Sequence, residues 1–124
     1  MGMATQPKVV MVVDDDASIL KSLARLLTAY GFVAQTFPSA EALLAKGGTC
    51  GATCLILDIH LGGISGIELN RRLTAAGSTC PIIFMTATDD DMTRQEALEV
   101  GCIAYLRKPF GPNLLLEAIE KATA

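Results

Sequence analysis

Three aspartates follow two apolar segments of the sequence, and a chemical role can be argued for them first. Asp58 directly follows the run 54–57, and Asp14 and Asp15 follow the run 8–13. Both runs are too short for a helix and do not alternate, so we predict strands buried on both faces. An aspartate can act as a nucleophile and form an aspartyl phosphate. Carboxylates that crowd together repel one another unless a cation such as Mg²⁺ neutralises them.

A hydroxyl group and an amine follow two further apolar runs. Thr86 follows the run 81–85, and Lys108 lies just beyond the run 103–106. Taken singly, a threonine here is an ordinary turn residue and a lysine an ordinary surface residue. Taken with the aspartates and Mg²⁺, they are the functional groups that phosphoryl transfer uses. In that reaction the protein supplies positioning and charge neutralisation.

Strands and helices that would position these groups alternate along the chain. The hydrophobic spacing predicts strands at 8–13, 33–37, 54–57, 81–85 and 103–106, and helices at about 17–30, 40–45, 66–76, 89–100 and 112–122.

Five alternating strand and helix units with short connections predict an α/β fold with a parallel sheet covered by helices on both faces. Right-handed crossovers place the carboxyl ends of all strands at one edge. We predict a flavodoxin-like doubly wound (βα)5 domain with a five-stranded sheet in the order 2-1-3-4-5. This order makes the first and third strands neighbours, so Asp14, Asp15 and Asp58 should crowd together and bind Mg²⁺.

Local signals mark where several helices begin and end. Asp16 and Ser39 are suited to cap the first two helices. Ser65 and Glu68 have the spacing of a capping box at the start of the third. Gly31 follows the first helix, as a glycine in the left-handed conformation commonly does.

The last two helices carry weaker patterns. Met92, Glu96 and Val100 mark an indistinct stripe on the fourth helix, which suggests an element that is loosely held. Leu114 and Leu116 flank the core stripe of the fifth helix. They would either pack at the margin of the core or form part of a surface for a partner.

Composition limits the class of protein. The 124 residues carry a net charge of −3 and allow one domain with a proper core, which we place at 8–124 after a disordered extension at 1–7. The acidic balance argues against nucleic-acid binding by this domain, and no apolar run approaches the roughly 18 residues of a membrane span. Four cysteines without a C-x-x-C motif are expected to be reduced filler in a cytoplasmic protein.

Four segments together resemble a known family. The segments VVDDDASIL, LILDIHLGGISG, PIIFMTA and AYLRKPF are similar, in order and spacing, to the signature segments of the response-regulator receiver domain of two-component signalling. The resemblance covers about 8–122. It implies Asp58 as the phosphoacceptor, Asp14 and Asp15 as the acidic pair that binds Mg²⁺, and the backbone carbonyl of His60 as a further metal ligand.

The resemblance also implies a switch. Thr86 corresponds to the family's switch hydroxyl, Tyr105 to its switch aromatic residue, and Lys108 to the lysine that pairs with the phosphate. The bond between Lys108 and Pro109 corresponds to the family's cis peptide bond.

The implied function is phosphorylation-dependent signalling without turnover of a separate substrate. A sensor histidine kinase or a phosphotransfer protein would transfer a phosphoryl group to Asp58. Movement of Thr86 and Tyr105 would then change the surface formed by the fourth helix, fifth strand and fifth helix. A second copy of the chain is a further expected partner, and a homodimer would form through this surface.

The sequence departs from the family pattern in the loop after Asp58, and three other classes of protein are alternatives to a receiver domain. Gly62 stands where the family often has proline, which predicts a more flexible loop. A haloacid-dehalogenase-type phosphatase would need a second acid where this chain has His60. A phosphorylation-silent pseudo-receiver would typically have lost Lys108 or one of the acids. A flavin or nucleotide binder would need a glycine-rich phosphate loop after the first strand.

Overall fold

A computed structural model describes residues 7–49, 51–88 and 90–123. Almost all of the expected disordered extension at 1–7 therefore lies outside the described residues. The strands are β1 (Val9–Val13), β2 (Val33–Phe37), β3 (Cys54–Asp58), β4 (Ile82–Thr86) and β5 (Ala104–Arg107). The helices are α1 (Ala17–Ala29), α2 (Ala40–Lys46), α3 (Gly66–Ala75), α4 (Asp91–Val100) and α5 (Pro112–Thr123).

The sheet has the predicted topology. Its five strands run in the order β2-β1-β3-β4-β5, and every neighbouring pair is parallel. In the register between β1 and β3, Val13 lies opposite Leu57. Asp14, the residue after Val13, and Asp58, the last residue of β3, therefore lie side by side at the carboxyl edge of the sheet.

Two apolar layers enclose the sheet because successive side chains of a strand point to opposite faces. Leu55 and Leu57 of β3 belong to the layer under α2, α3 and α4. Cys54 and Ile56 belong to the layer under α1 and α5. Each of these side chains is fully buried. The unbroken apolar run of β3 is thus explained by a core on both sides of the sheet.

The predicted helix caps are confirmed. Asp16 accepts hydrogen bonds from the backbone N–H groups of Ser18 and Ile19, and Ser39 accepts one from Ala42. Gly31 follows α1 with a φ of 88°, in the left-handed region. These contacts are local, which is why the sequence alone could predict them.

One of the two interactions of the predicted capping box is present at the start of α3. The Ser65 hydroxyl accepts a hydrogen bond from the Glu68 N–H at 3.1 Å. The Glu68 carboxylate contacts Arg72 Nε at 3.2 Å, one turn further along the helix. Ser65 thus caps the helix, while Glu68 supports the first turn through an ion pair.

We expect Ser65→Ala to lower the free energy of unfolding by about 1 kcal/mol, because the Glu68 N–H would lose its acceptor. Urea unfolding followed by circular dichroism measures the change. Ser22→Ala, at an exposed serine within α1, is the control and should change stability by less than about 0.5 kcal/mol. Equal effects of the two substitutions would contradict the capping role.

Two of the three residues of the predicted stripe on α4, Met92 and Glu96, are exposed, and Val100 alone of the three lies on the inward face. Met92 is 78% exposed, and Ala97 is the residue of α4 that is fully buried. The inward face combines Ala97 with the half-buried Thr93 and Val100. Because the inward face consists of a small alanine between a polar residue and a valine, it has little hydrophobic contrast with the rest of the helix. The sequence pattern therefore pointed to a different side of the helix, the one that carries Glu96.

The described cysteines are consistent with packing residues. Cys54, Cys80 and Cys102 are free thiols that are buried or half-buried. Burial, with a smaller contribution from Cys80, raises the pKa of the Cys54 thiol to about 12. This thiol is therefore protonated and unreactive at neutral pH. Cys50 lies outside the described residues.

Among the helices of the described residues, none combines the length and the apolar character needed to cross a membrane.

Candidate functional site

An ammonium group joins two buried carboxylates at the carboxyl edge of the sheet. Lys108 Nζ lies 2.7 Å from Asp14 Oδ2 and 3.2 Å from Asp58 Oδ2. Asp14 is fully buried and Asp58 is 4% exposed. The lysine is 94 residues from Asp14 and 50 from Asp58 along the chain, so only the fold brings the three groups together.

Backbone N–H groups hold the second oxygen of each carboxylate. Asp14 Oδ1 accepts a hydrogen bond from the Asp16 N–H at 2.9 Å, and Asp58 Oδ1 accepts one from the His60 N–H at 3.1 Å. Each carboxylate is therefore held between the chain that follows its own strand and Lys108. Such fixed orientation is what a reacting carboxylate needs.

The charges of the site are incompletely balanced. Burial and, secondarily, the Asp14 charge raise the pKa of Asp58, although Lys108 and the His60 N–H oppose this shift. Burial alone would lower the pKa of Lys108, but the hydrogen bond to Asp14 and the Asp58 charge outweigh it and raise that pKa. Two buried carboxylates thus share one ammonium group, and the site retains a demand for positive charge.

The donor set suits a hard divalent cation. Asp14, Asp15 and Asp58 each offer a carboxylate oxygen, and these atoms lie within 4.8 Å of one another. Asp15 is exposed, so the site opens to solvent on its side. Oxygen-only ligands in a partly open site fit Mg²⁺, which keeps several water molecules. The His60 side chain is exposed, and the role expected for its carbonyl as a metal ligand stays a prediction.

The expected switch residues lie on β4 and β5. Thr86 is fully buried at the end of β4. Its hydroxyl donates to the Thr88 carbonyl at 2.7 Å and accepts from the Thr88 N–H at 3.1 Å. The Thr86 carbonyl accepts from the Lys108 N–H at 2.8 Å, which ties the two site residues through their backbones. In this conformation the hydroxyl is engaged with its own loop.

Tyr105 and Pro109 complete the residues expected at the site. Tyr105 is half-buried on β5, and the Arg94 guanidinium of α4 lies 5.1 Å from the centre of its ring. Tyr105 thus connects β5 to α4. The peptide bond between Lys108 and Pro109 is cis.

Gly66 is a site residue that the sequence did not single out beyond its place in the capping segment. Its N–H donates to the Ile59 carbonyl at 2.9 Å, at the first turn of α3. A Cβ at this position would overlap the carbonyl oxygen of Asp58 and lie 3.0 Å from its carbonyl carbon. The absence of a side chain therefore lets α3 begin directly against the backbone of Asp58.

Comparison with known proteins points to one family. Residues 10–120 match the family model described as the response regulator receiver domain. The chain is 36% identical over 120 residues to the response regulator protein TmoT of Ectopseudomonas mendocina, covering 97% of this chain and 54% of TmoT. It is also 36% identical over 113 residues to the transcriptional regulatory protein FixJ of Bradyrhizobium diazoefficiens, covering 91% of this chain and 55% of FixJ.

A solved structure shows the same fold over nearly its whole length. The CheY-like response regulator receiver domain protein of Methanospirillum hungatei JF-1 superposes with a TM-score of 0.87 at 28% identity, covering 95% of this chain and 94% of that one. The chain spans about half the length of the curated relatives it matches. Matching sequence, sheet order and acidic cluster lead to one conclusion: the chain belongs to the response-regulator receiver domain family of two-component signalling.

Proposed function

We propose that this domain accepts a phosphoryl group on Asp58 from a sensor histidine kinase or a phosphotransfer protein, in a reaction that requires Mg²⁺. The observation that carries the proposal is the arrangement of Asp58 itself. Its carboxylate is buried beside Asp14, is oriented by the His60 N–H, and lies 3.2 Å from the Lys108 ammonium group.

The chemistry is an exchange of one bond to phosphorus for another. A carboxylate oxygen of Asp58 attacks the phosphorus of a phosphohistidine, an O–P bond forms, and the N–P bond breaks. The imidazole leaves with the electron pair of that bond. Lys108 is already within hydrogen-bond distance of Asp58 and pairs with the incoming phosphoryl oxygens.

The residues that would hold the metal ion are Asp14, Asp15, Asp58 and the backbone carbonyl of His60. When bound, Mg²⁺ supplies positive charge that offsets the phosphoryl oxygens. Asp15 lies on the open side of the site, where a hydrated ion and a phosphodonor can enter. Binding requires Lys108 to share its two carboxylate partners with the ion.

The proposed switch starts from the hydroxyl of Thr86. A phosphoryl group on Asp58 would draw this hydroxyl away from Thr88 and toward a phosphoryl oxygen. Tyr105 would move into the space that Thr86 leaves, and α4 would shift with it. Met92 and Leu98 of α4 and Leu114 of α5 are exposed and belong to the surface that would change.

Energetics suggest that phosphorylation works together with a partner. A change from about 1% to 99% active molecules needs about 5.5 kcal/mol. One charge-assisted hydrogen bond contributes about 1.5–3 kcal/mol, and the Thr86 hydroxyl must give up its bond to Thr88 to form it. We therefore propose that dimerisation through α4, β5 and α5, or binding of another partner there, completes the shift.

Incubation with acetyl phosphate tests the proposal. With Mg²⁺ present, we expect intact-mass spectrometry to show the gain of one phosphoryl group, and peptide mapping to place it on Asp58. Chelation of Mg²⁺ should reduce the modified fraction at least tenfold, because the three acids would then face the donor without a neutralising ion. Failure to gain mass from both acetyl phosphate and an active histidine kinase would favour a pseudo-receiver.

A further inference from the structure

The loop between β3 and α3, residues 59–65, connects the phosphoacceptor to the next helix. Its first residue is held because the Ile59 N–H donates to the Met85 carbonyl at 3.0 Å. Leu61 is 9% exposed and anchors the loop in the core. The two residues that follow, Gly62 and Gly63, are exposed and lack side chains that could restrict them.

A carboxylate from another helix holds the loop directly after these glycines. Glu41 Oε2 accepts a hydrogen bond from the Ile64 N–H at 3.2 Å, across 23 residues of sequence. Glu41 lies in the first turn of α2, next to Ala40, which is fully buried. The acceptor therefore projects from a helix that is fixed to the core.

Gly63 provides the space that this contact needs. Its φ of 88° lies in the left-handed region. A Cβ at this position would lie 2.7 Å from Glu41 Oε2, closer than side-chain atoms normally approach. A side chain at position 63 would therefore strain the backbone and displace the Glu41 carboxylate.

We propose that Glu41 is a positioning residue for the metal site: by holding the Ile64 N–H, it fixes the loop that presents the His60 carbonyl beside Asp58. This inference rests on the proposed function, since the carbonyl of His60 matters only if the site binds Mg²⁺. The flexibility conferred by two consecutive glycines is offset by a tether from α2.

Three substitutions separate the contact from the charge. Glu41→Ala removes both. Glu41→Asp keeps the charge, but its side chain is one methylene shorter and cannot reach the Ile64 N–H in the same position. Glu41→Gln keeps the length and a carbonyl acceptor but removes the charge. Glu117→Ala, at an exposed glutamate of α5, is the control for the change in net charge.

Mg²⁺ binding measured by isothermal titration calorimetry is the first test. We expect the Kd for Mg²⁺ to rise about three- to fivefold in the Ala and Asp variants, less than for residues that contact a metal ligand directly. The Gln variant and the Glu117 control should remain within about twofold of the unaltered protein. If the Gln variant weakens binding and the Asp variant does not, the charge of Glu41 acts through space and the inference is wrong.

Amide hydrogen exchange without Mg²⁺ is the second test, and it does not depend on phosphorylation. The Ile64 amide should exchange faster in the Ala and Asp variants, while the melting temperature stays nearly constant because the contact is exposed. An unchanged exchange rate of the Ile64 amide would contradict the inference that Glu41 holds the loop. A failure of the proposed function looks different, because the unaltered protein itself would then bind no Mg²⁺ or accept no phosphoryl group.

Discussion

Asp58→Asn should abolish phosphoryl transfer and yet make the domain more stable. Asparagine is nearly the same size as aspartate, and its amide oxygen can still accept the His60 N–H. It lacks the anionic oxygen that would attack phosphorus, so we expect at least a hundredfold loss of incorporation from acetyl phosphate and Mg²⁺. The Asp14 and Lys108 pair remains in place.

The gain in stability follows from the raised pKa of Asp58. Burial and the Asp14 charge disfavour its ionised form in the folded protein. A carboxyl group whose folded pKa exceeds its unfolded value stabilises the fold when protonated, and this stabilisation is lost as pH rises through the folded pKa. At neutral pH the asparagine variant should therefore be more stable than the unaltered protein.

Intact mass and urea unfolding at several pH values measure these two effects. The stability difference should shrink as pH falls through the raised folded pKa toward the ordinary aspartate value of 3.8, and below that value both proteins carry a neutral group at position 58. Asp16→Asn is the control, because asparagine caps a helix as well as aspartate does. Full incorporation in Asp58→Asn would mean that another residue is the phosphoacceptor.

Gly66→Ala should lower the free energy of unfolding by about 3 kcal/mol. Replacing glycine by alanine within a helix normally stabilises a protein by about 0.4–1 kcal/mol. Here the new Cβ would overlap the carbonyl oxygen of Asp58, and a backbone group in a buried strand has little room to move. The steric overlap should therefore reverse the usual sign and displace the phosphoacceptor.

Urea unfolding and Mg²⁺ titration of the same variant check this prediction. Gly62→Ala is the matched control, since a Cβ at position 62 would meet nothing within 4 Å among the described residues. We expect the control to change stability by less than about 0.5 kcal/mol. A Gly66→Ala protein as stable as the unaltered one would show that α3 can withdraw from Asp58 without cost.

The sequence alone was sufficient to predict the sheet and the convergence of Asp14, Asp58 and Lys108 at one of its edges. Parallel strands buried on both faces produce unbroken apolar runs, and polar residues that follow such runs must meet at one edge. Asp14 and Asp58 could be placed together on that basis, with Lys108 expected opposite them. Helix caps such as Ser65 were equally accessible, because a cap and its donor lie three residues apart.

Tertiary structure decided the contacts that join distant elements. The two partners of Lys108, the overlap that a side chain at Gly66 would cause, and the bond from Ile64 to Glu41 all depend on how separate elements pack. The buried face of α4 also depended on packing, because Ala97 is too small to create a clear hydrophobic stripe. Strands, helices and caps depend on residues that are neighbours in sequence. The distances between site residues depend on how the sheet places separate strands side by side, and they are therefore set only by the tertiary structure.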